Sequence, residues 1–214
     1  MDIGLVLAVV SGIFWTIVYV DGIRIGIKDK SFAMPLWALG LNIAWEFLNT
    51  VLGYQAAGLV PQIVINGVWF LLDIGLVYTY FCYGRKYFPQ DLPKSWFYGW
   101  GILVILVSFV VQYVFILEFG LWMAAVYAAF LQNLLMSLLF IQMLVQRQSS
   151  EGQTMLIAVS KFLGSLAPTI SMGFLRSGPL TEPNKFVMGI GLLMAFFDVL
   201  YIWLLARQKW AERV

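Results

Sequence analysis

Glu46, Asp73 and Asp198 are carboxylates set inside stretches of sequence that are otherwise almost wholly apolar. A charge at the centre of a bilayer costs several kcal/mol, so an acid placed there marks a functional site by default. A carboxylic acid kept neutral by such surroundings is a proton donor at neutral pH. The chain has no His, and Lys161 is its one other charged residue well inside an apolar stretch. Proton chemistry therefore falls to the acids.

Each acid has company on its own helix face. Asn42, Glu46 and Asn49 are spaced four and three apart, which stacks them on one side of a helix. Asn66, Asp73 and Tyr80 recur every seven residues, with Trp69 close to the same stripe. Met194, Asp198 and Tyr201 share a face, and Gln132, Asn133 and Ser137 lie on a further stretch. At about 1.5 Å per residue, all three acids fall in the middle third of the membrane, where one cavity can gather them. The competing reading of such amides and hydroxyls is interhelical glue. Asp73 has a possible ion-pair partner in Lys161, whereas Glu46 and Asp198 have no obvious basic partner.

The elements that must position these groups are membrane helices. Of the 214 residues 62% are hydrophobic and 11% charged, against about a quarter charged in soluble domains. Seven stretches are long enough to cross a bilayer: about 3–20, 33–53, 62–83, 96–117, 119–145, 153–175 and 185–206. The expected fold is all-α, a seven-transmembrane helix bundle forming a single membrane domain over residues 1–214. The first stretch lacks a basic start and a small-residue cleavage site, so it reads as a retained span. Counting Lys and Arg between spans gives ten on one side against two, Arg176 and Lys185, on the other. That bias places the N-terminus outside and the C-terminus in the cytosol. Trp37, Tyr54, Trp96, Trp100, Trp122 and Trp210 fall at expected interfaces and read as anchors. Pro168 is expected to kink the sixth span, with Ser165 and Thr169 taking up freed backbone groups.

Several classes are excluded. A net charge of +2 gives no reason to expect nucleic acid, and the single Cys82 rules out an internal disulfide or a cysteine metal site. There is no DDxxD or DxDD motif, no HExxH, P-loop, GxSxG or CxxC. An opsin needs a lysine in the middle of span seven, where this chain has Asp198. A small proton-coupled transporter using the acids as a relay is the alternative function. It predicts two matching halves with broken helices, and the sequence has no convincing internal repeat.

The segment Gly40-Leu41-Asn42-Ile43-Ala44-Trp45-Glu46-Phe47 resembles the Trp-Glu motif of a family of small integral-membrane terpene cyclases. These serve fungal meroterpenoid and indole-diterpene pathways and actinobacterial indole sesquiterpenoid pathways. The resemblance continues through Val68-Trp69-Phe70-Leu71-Leu72-Asp73 and Ala195-Phe196-Phe197-Asp198, and so covers the whole chain. It implies that Glu46 and Asp198 are the catalytic pair, with Asp73 an additional site residue. It further implies acid-initiated cyclisation of a lipophilic prenylated substrate on an indole or other aromatic head, with no metal or organic cofactor. Such chemistry needs a neutral acid, a dry cavity and aromatic faces for the cations. Trp45, Trp69, Phe197 and Tyr201 are the candidates for those faces, Asn42 for orienting Glu46, and Asn49 is a supporting or substrate-binding residue. The host would be a bacterial plasma membrane or a fungal endoplasmic reticulum, with substrate entering from the bilayer.

Overall fold

The computed structural model describes residues 3–175, 180 and 182–213. Arg176, used above in the charge count, lies outside the described residues. Seven α-helices follow one another with no strand among the described residues: α1 (Ile3–Lys28), α2 (Leu36–Ala57), α3 (Pro61–Tyr83), α4 (Lys94–Phe119), α5 (Leu121–Arg147), α6 (Met155–Pro168) and α7 (Lys185–Ala211). Residues 84–87 form a 3-10 turn after α3, and a π-helical turn, Thr169–Phe174, extends α6.

Local chemistry sets the boundaries. Pro61 opens α3, where a missing N–H costs nothing. Thr154 and Asn184 cap α6 and α7 by accepting backbone N–H bonds from Ile157 and from Phe186 and Val187. Gly120, at φ 72°, turns α4 into α5 through a single residue in the left-handed region that glycine tolerates best. The first span runs further than the sequence suggests. Arg24 and Lys28 lie on α1 itself rather than in a loop, because Asp21 pairs with Arg24 and accepts from Thr154, which satisfies the polar last turns.

α1 packs between α3 and α6; α2 packs on α3, α4 and α5; α7 closes the bundle against α5, α6 and the π turn. α4 sits outside this ring and buries only one stripe, Phe97, Gly101, Val104, Ser108 and Gln112. Six helical segments are long and apolar enough to cross a membrane. α2 has 22 residues, about 33 Å, so length does not exclude it. It is less apolar because it carries Asn42, Glu46 and Asn49, all buried inside the bundle.

Pro168 acts as expected. It ends the regular helix and has no N–H for the carbonyl four residues back, Gly164. Ser11 of α1 donates to that carbonyl at 2.7 Å, and Thr169 donates its hydroxyl to the Ser165 carbonyl at 2.8 Å. Replacing Ser11 by Ala is therefore expected to cost about 1–3 kcal/mol by leaving the Gly164 carbonyl unpaired. Thermal unfolding in detergent measures it, and an unchanged midpoint would show that the kink needs no support from α1.

The ends of the helices that carry most Lys and Arg are knitted together. Arg147 lies 4.0 Å from the Tyr87 ring centre and 4.3 Å from that of Phe32, and its Nη1 donates to the Phe32 carbonyl. Tyr87 and Lys86 both donate to Glu151. Partial burial pushes the Glu151 carboxyl up, but these bonds and the charges of Lys86 and Arg147 outweigh it and hold the group below its usual range.

Candidate active site

A cavity of about 490 Å³ occupies the centre of the helix ring. Its wall follows α1 from Gly4 to Tyr19, a depth of roughly 22 Å at the helical rise. It runs from the first turns of α1, α3 and α5 down to a polar floor, and α4 contributes nothing to it. Small residues make the space: Gly4, Ala8 and Gly12 on α1, Ala125 and Ala129 on α5. Aromatic side chains surround it, Trp15, Tyr19, Trp45, Trp69, Trp122 and Phe130. Two of the indoles are pinned. Trp45 donates its N–H to the Ala125 carbonyl at 2.9 Å, and Trp69 donates to Thr16 Oγ1 at 3.0 Å.

The floor is a hydrogen-bond chain. Tyr19 donates its O–H to Glu46 Oε1 at 3.0 Å. Asn42 Nδ2 donates both to the Tyr19 oxygen, at 2.6 Å, and to Asp73 Oδ2, at 2.9 Å. Gln132 Nε2 reaches Asn42 Oδ1 at 3.4 Å, and Gln112 Nε2 donates to Gln132 Oε1 at 2.6 Å. Five helices thus meet around Glu46. The bonds also fix its orientation. Tyr19 has a single proton and spends it on Oε1, while Oε2 is buried without a hydrogen-bond partner among the described residues. In the neutral acid Oε1 is then the carbonyl oxygen, and the proton sits on Oε2. Glu46 and Tyr19 are the only titratable side chains among the described residues of the cavity wall.

Asn42, Trp45, Asn49 and Trp69 line the cavity with Glu46. Asp73 lies just behind the wall, fully buried, and holds Asn42. Asp198 is elsewhere. It forms a buried ion pair with Lys161 at 2.7 Å, and Lys161 also donates to Ser137 at 2.7 Å. The expectation that Asp198 lacks a basic partner is corrected, as is the pairing of Lys161 with Asp73. The helix order explains both: α7 packs on α5 and α6, not on α2 or α3. Phe197 packs on Phe196, and Tyr201 donates to Gln153 and packs on Phe140; neither touches the cavity. Trp122, read as an interfacial anchor, lines the cavity near its outer end. Tyr19 and Gln112 escaped sequence reasoning. For Gln112 there was a signal, a lone amide in span four; Tyr19 carries none beyond being an amphipathic side chain in an apolar span.

Comparison with known proteins decides what this constellation belongs to. The sequence model of the Pyr4-like transmembrane terpene cyclases matches residues 2–209. This chain belongs to that family. Among curated members, the Pyr4-family terpene cyclase mfmH of Annulohypoxylon moriforme is 32% identical over 167 residues, which is 75% of this chain and 66%, just under two thirds, of that protein. The terpene cyclase pyr4 of Aspergillus fumigatus is 26% identical over 209 residues, covering 93% of this chain and 85% of the relative. For adrI of Penicillium rubens the figures are 28% over 211 residues, 95% and 83%. No solved structure matches the chain. As a Pyr4-like cyclase it is a multi-pass membrane enzyme that acts on a lipophilic substrate, and the aromatic cavity over Glu46 is its candidate active site.

Proposed function

We propose that this cyclase protonates the terminal alkene or epoxide of a prenyl chain carried on an indole or other aromatic head, with Glu46 as the acid. The observation that carries the reading is Glu46 on the cavity wall, its buried Oε2 without a hydrogen-bond partner among the described residues and its Oε1 held by the Tyr19–Asn42–Asp73 chain. The O–H of Glu46 adds to the alkene carbon or epoxide oxygen and leaves a carboxylate. The carbocation is attacked by successive double bonds, each forming a C–C bond, until loss of one proton gives an alkene. Proton uptake and loss balance, so substrate and product have the same elemental composition.

The remaining site residues support that step. Tyr19 and Asn42 hold Glu46 in one orientation, and the faces of Trp15, Trp45 and Trp69 stabilise the migrating positive charge. The volume lies within the roughly 300–1,000 Å³ of pockets that enclose small ligands. Asp198, which the family resemblance pairs with Glu46, serves the reaction through Lys161. Lys161 holds Ser137, and Ser137 donates to the carbonyl of Asn133, a cavity-lining residue one turn away. α2 acts as the seventh span, and the Lys- and Arg-rich ends of the helices face the cytosol.

The test is mass spectrometry of membranes containing the protein, incubated in deuterated water with farnesylated indole and with its terminal epoxide. The expected result is a product of unchanged composition, carrying one carbon-bound deuterium when the alkene is the substrate. Conversion of the epoxide alone places the initiating proton on oxygen. Failure to convert either, with the helices intact, would favour the transport reading instead.

A further inference from the structure

Above the acid the cavity wall changes character on one side only. Thr50 packs on Gly67 and Ile63 on Gly53, so α2 and α3 bring Asn49 and Asn66 to facing turns. Both are buried and both line the cavity. Their hydrogen bonds within the protein are incomplete in complementary ways. Asn49 spends its Nδ2 on the Trp45 carbonyl, at 2.9 Å, which leaves the amide oxygen. Asn66 accepts at Oδ1 from Gln62 Nε2, at 2.8 Å, which leaves the amide Nδ2. The same wall thus offers an unused acceptor at Asn49 Oδ1 and unused amide N–H donors, chiefly those of Asn66 Nδ2. No Lys, Arg, Asp or Glu other than Glu46 lies among the described lining residues, so the patch is built for an uncharged polar group.

Axial spacing places this patch toward the outer end. At about 1.5 Å per residue, Glu46 lies roughly 16 Å below the upper end of α2 and Asn66 roughly 8 Å below that of α3. Asn49 lies one turn, roughly 5 Å, above Glu46, and the cavity beside and below the patch carries the indoles of Trp15, Trp45 and Trp69, surfaces suited to a folded apolar chain. An amphipathic substrate satisfies both regions in one direction only, with its polar end up and its prenyl end down. A buried amide left without a partner costs about 1–3 kcal/mol, so the polar end has a defined place to be.

We propose that Asn49 and Asn66, supported by Gln62, form the head-group subsite of the cyclase. The subsite binds a neutral aromatic head that carries an N–H or O–H donor, the proton going to Asn49 Oδ1, while Asn66 Nδ2 donates to the ring face or to a head-group oxygen. This assignment rests on the cyclase reading and deepens it. The two asparagines set specificity and substrate direction; they take no part in proton transfer.

The experiment pairs a change in the protein with a change in the substrate. Farnesylated indole and its N-methyl analogue, and a farnesylated phenol with its O-methyl ether, are supplied to the wild type and to the Asn49→Leu and Asn66→Leu variants. Methylation removes the donor, and in the wild type it is expected to raise KM by about tenfold. In Asn49→Leu the methylation penalty is expected to shrink to about twofold or less, because the acceptor is gone. Asn66→Leu, which keeps the acceptor, is expected to bind all four compounds more weakly yet retain the penalty. A methylation penalty as large in Asn49→Leu as in the wild type, or none in the wild type, overturns the subsite while leaving cyclisation standing. Absence of conversion of all four compounds by the wild type sinks the cyclase reading, and the subsite falls with it. A variant that unfolds shows itself by loss of the cooperative thermal transition, and Asn49→Ala, which also lacks the acceptor, then replaces Asn49→Leu.

Discussion

Replacing Glu46 by Gln is expected to lower the cyclisation rate by roughly 10²–10⁴, the usual contribution of a positioned general acid. The substitution is nearly isosteric. The amide oxygen of Gln still accepts the Tyr19 O–H, and the amide nitrogen takes the place of Oε2. What is lost is the acidic proton on Oε2. The stability of the bundle is expected to change little, because no cation neutralises Glu46 among the described residues and the one hydrogen bond it makes is kept. The informative comparison is therefore single-turnover cyclisation alongside thermal unfolding of the same preparation. Wild-type turnover by a folded Glu46→Gln enzyme would remove Glu46 from the donor role. It would turn attention to Tyr19, the other titratable group on the wall.

Much of this site was legible before any coordinates. Spacing on a single helix fixes which residues share a face, and Asn42, Glu46 and Asn49 do line one wall together. The span limits agree to within a few residues at most boundaries because apolar length is a strong signal in lipid. The kink at Pro168 follows from proline's missing N–H wherever the helix sits. Spacing is silent, however, on which neighbour a face meets. Asp198 and Glu46 lie at similar expected depths, yet α7 contacts α5 and α6, so Asp198 meets Lys161 while Glu46 meets Tyr19 of α1. Nothing in span one marks Tyr19 as more than an apolar body with a polar tip. Trp122 and Phe197 show the same limit from two sides. One indole placed at the membrane surface faces the cavity, and one phenyl beside an acid faces away.

The Lys161–Asp198 pair leads to the second large effect. Both side chains are about 1% exposed and 2.7 Å apart, inside the helical bundle. Removing one charge strands the other where neither water nor a second partner neutralises it, at a cost of about 3–5 kcal/mol. Lys161→Met alone and Asp198→Leu alone are each expected to lose that much, enough to deplete the folded enzyme. The double variant Lys161→Met with Asp198→Leu removes both charges together, and hydrophobic replacement of buried ion pairs is often neutral or stabilising. It is expected to recover most of the stability, which a denaturation series on all four proteins measures. Activity of the double variant then separates two roles. If Asp198 works by holding α5, α6 and α7 around the cavity, restored packing brings turnover back to within about tenfold of wild type, since Ser137 still bonds to the Asn133 carbonyl without Lys161. A double variant that folds like the wild type and yet cyclises nothing would instead place Asp198 in the proton-transfer machinery beside Glu46.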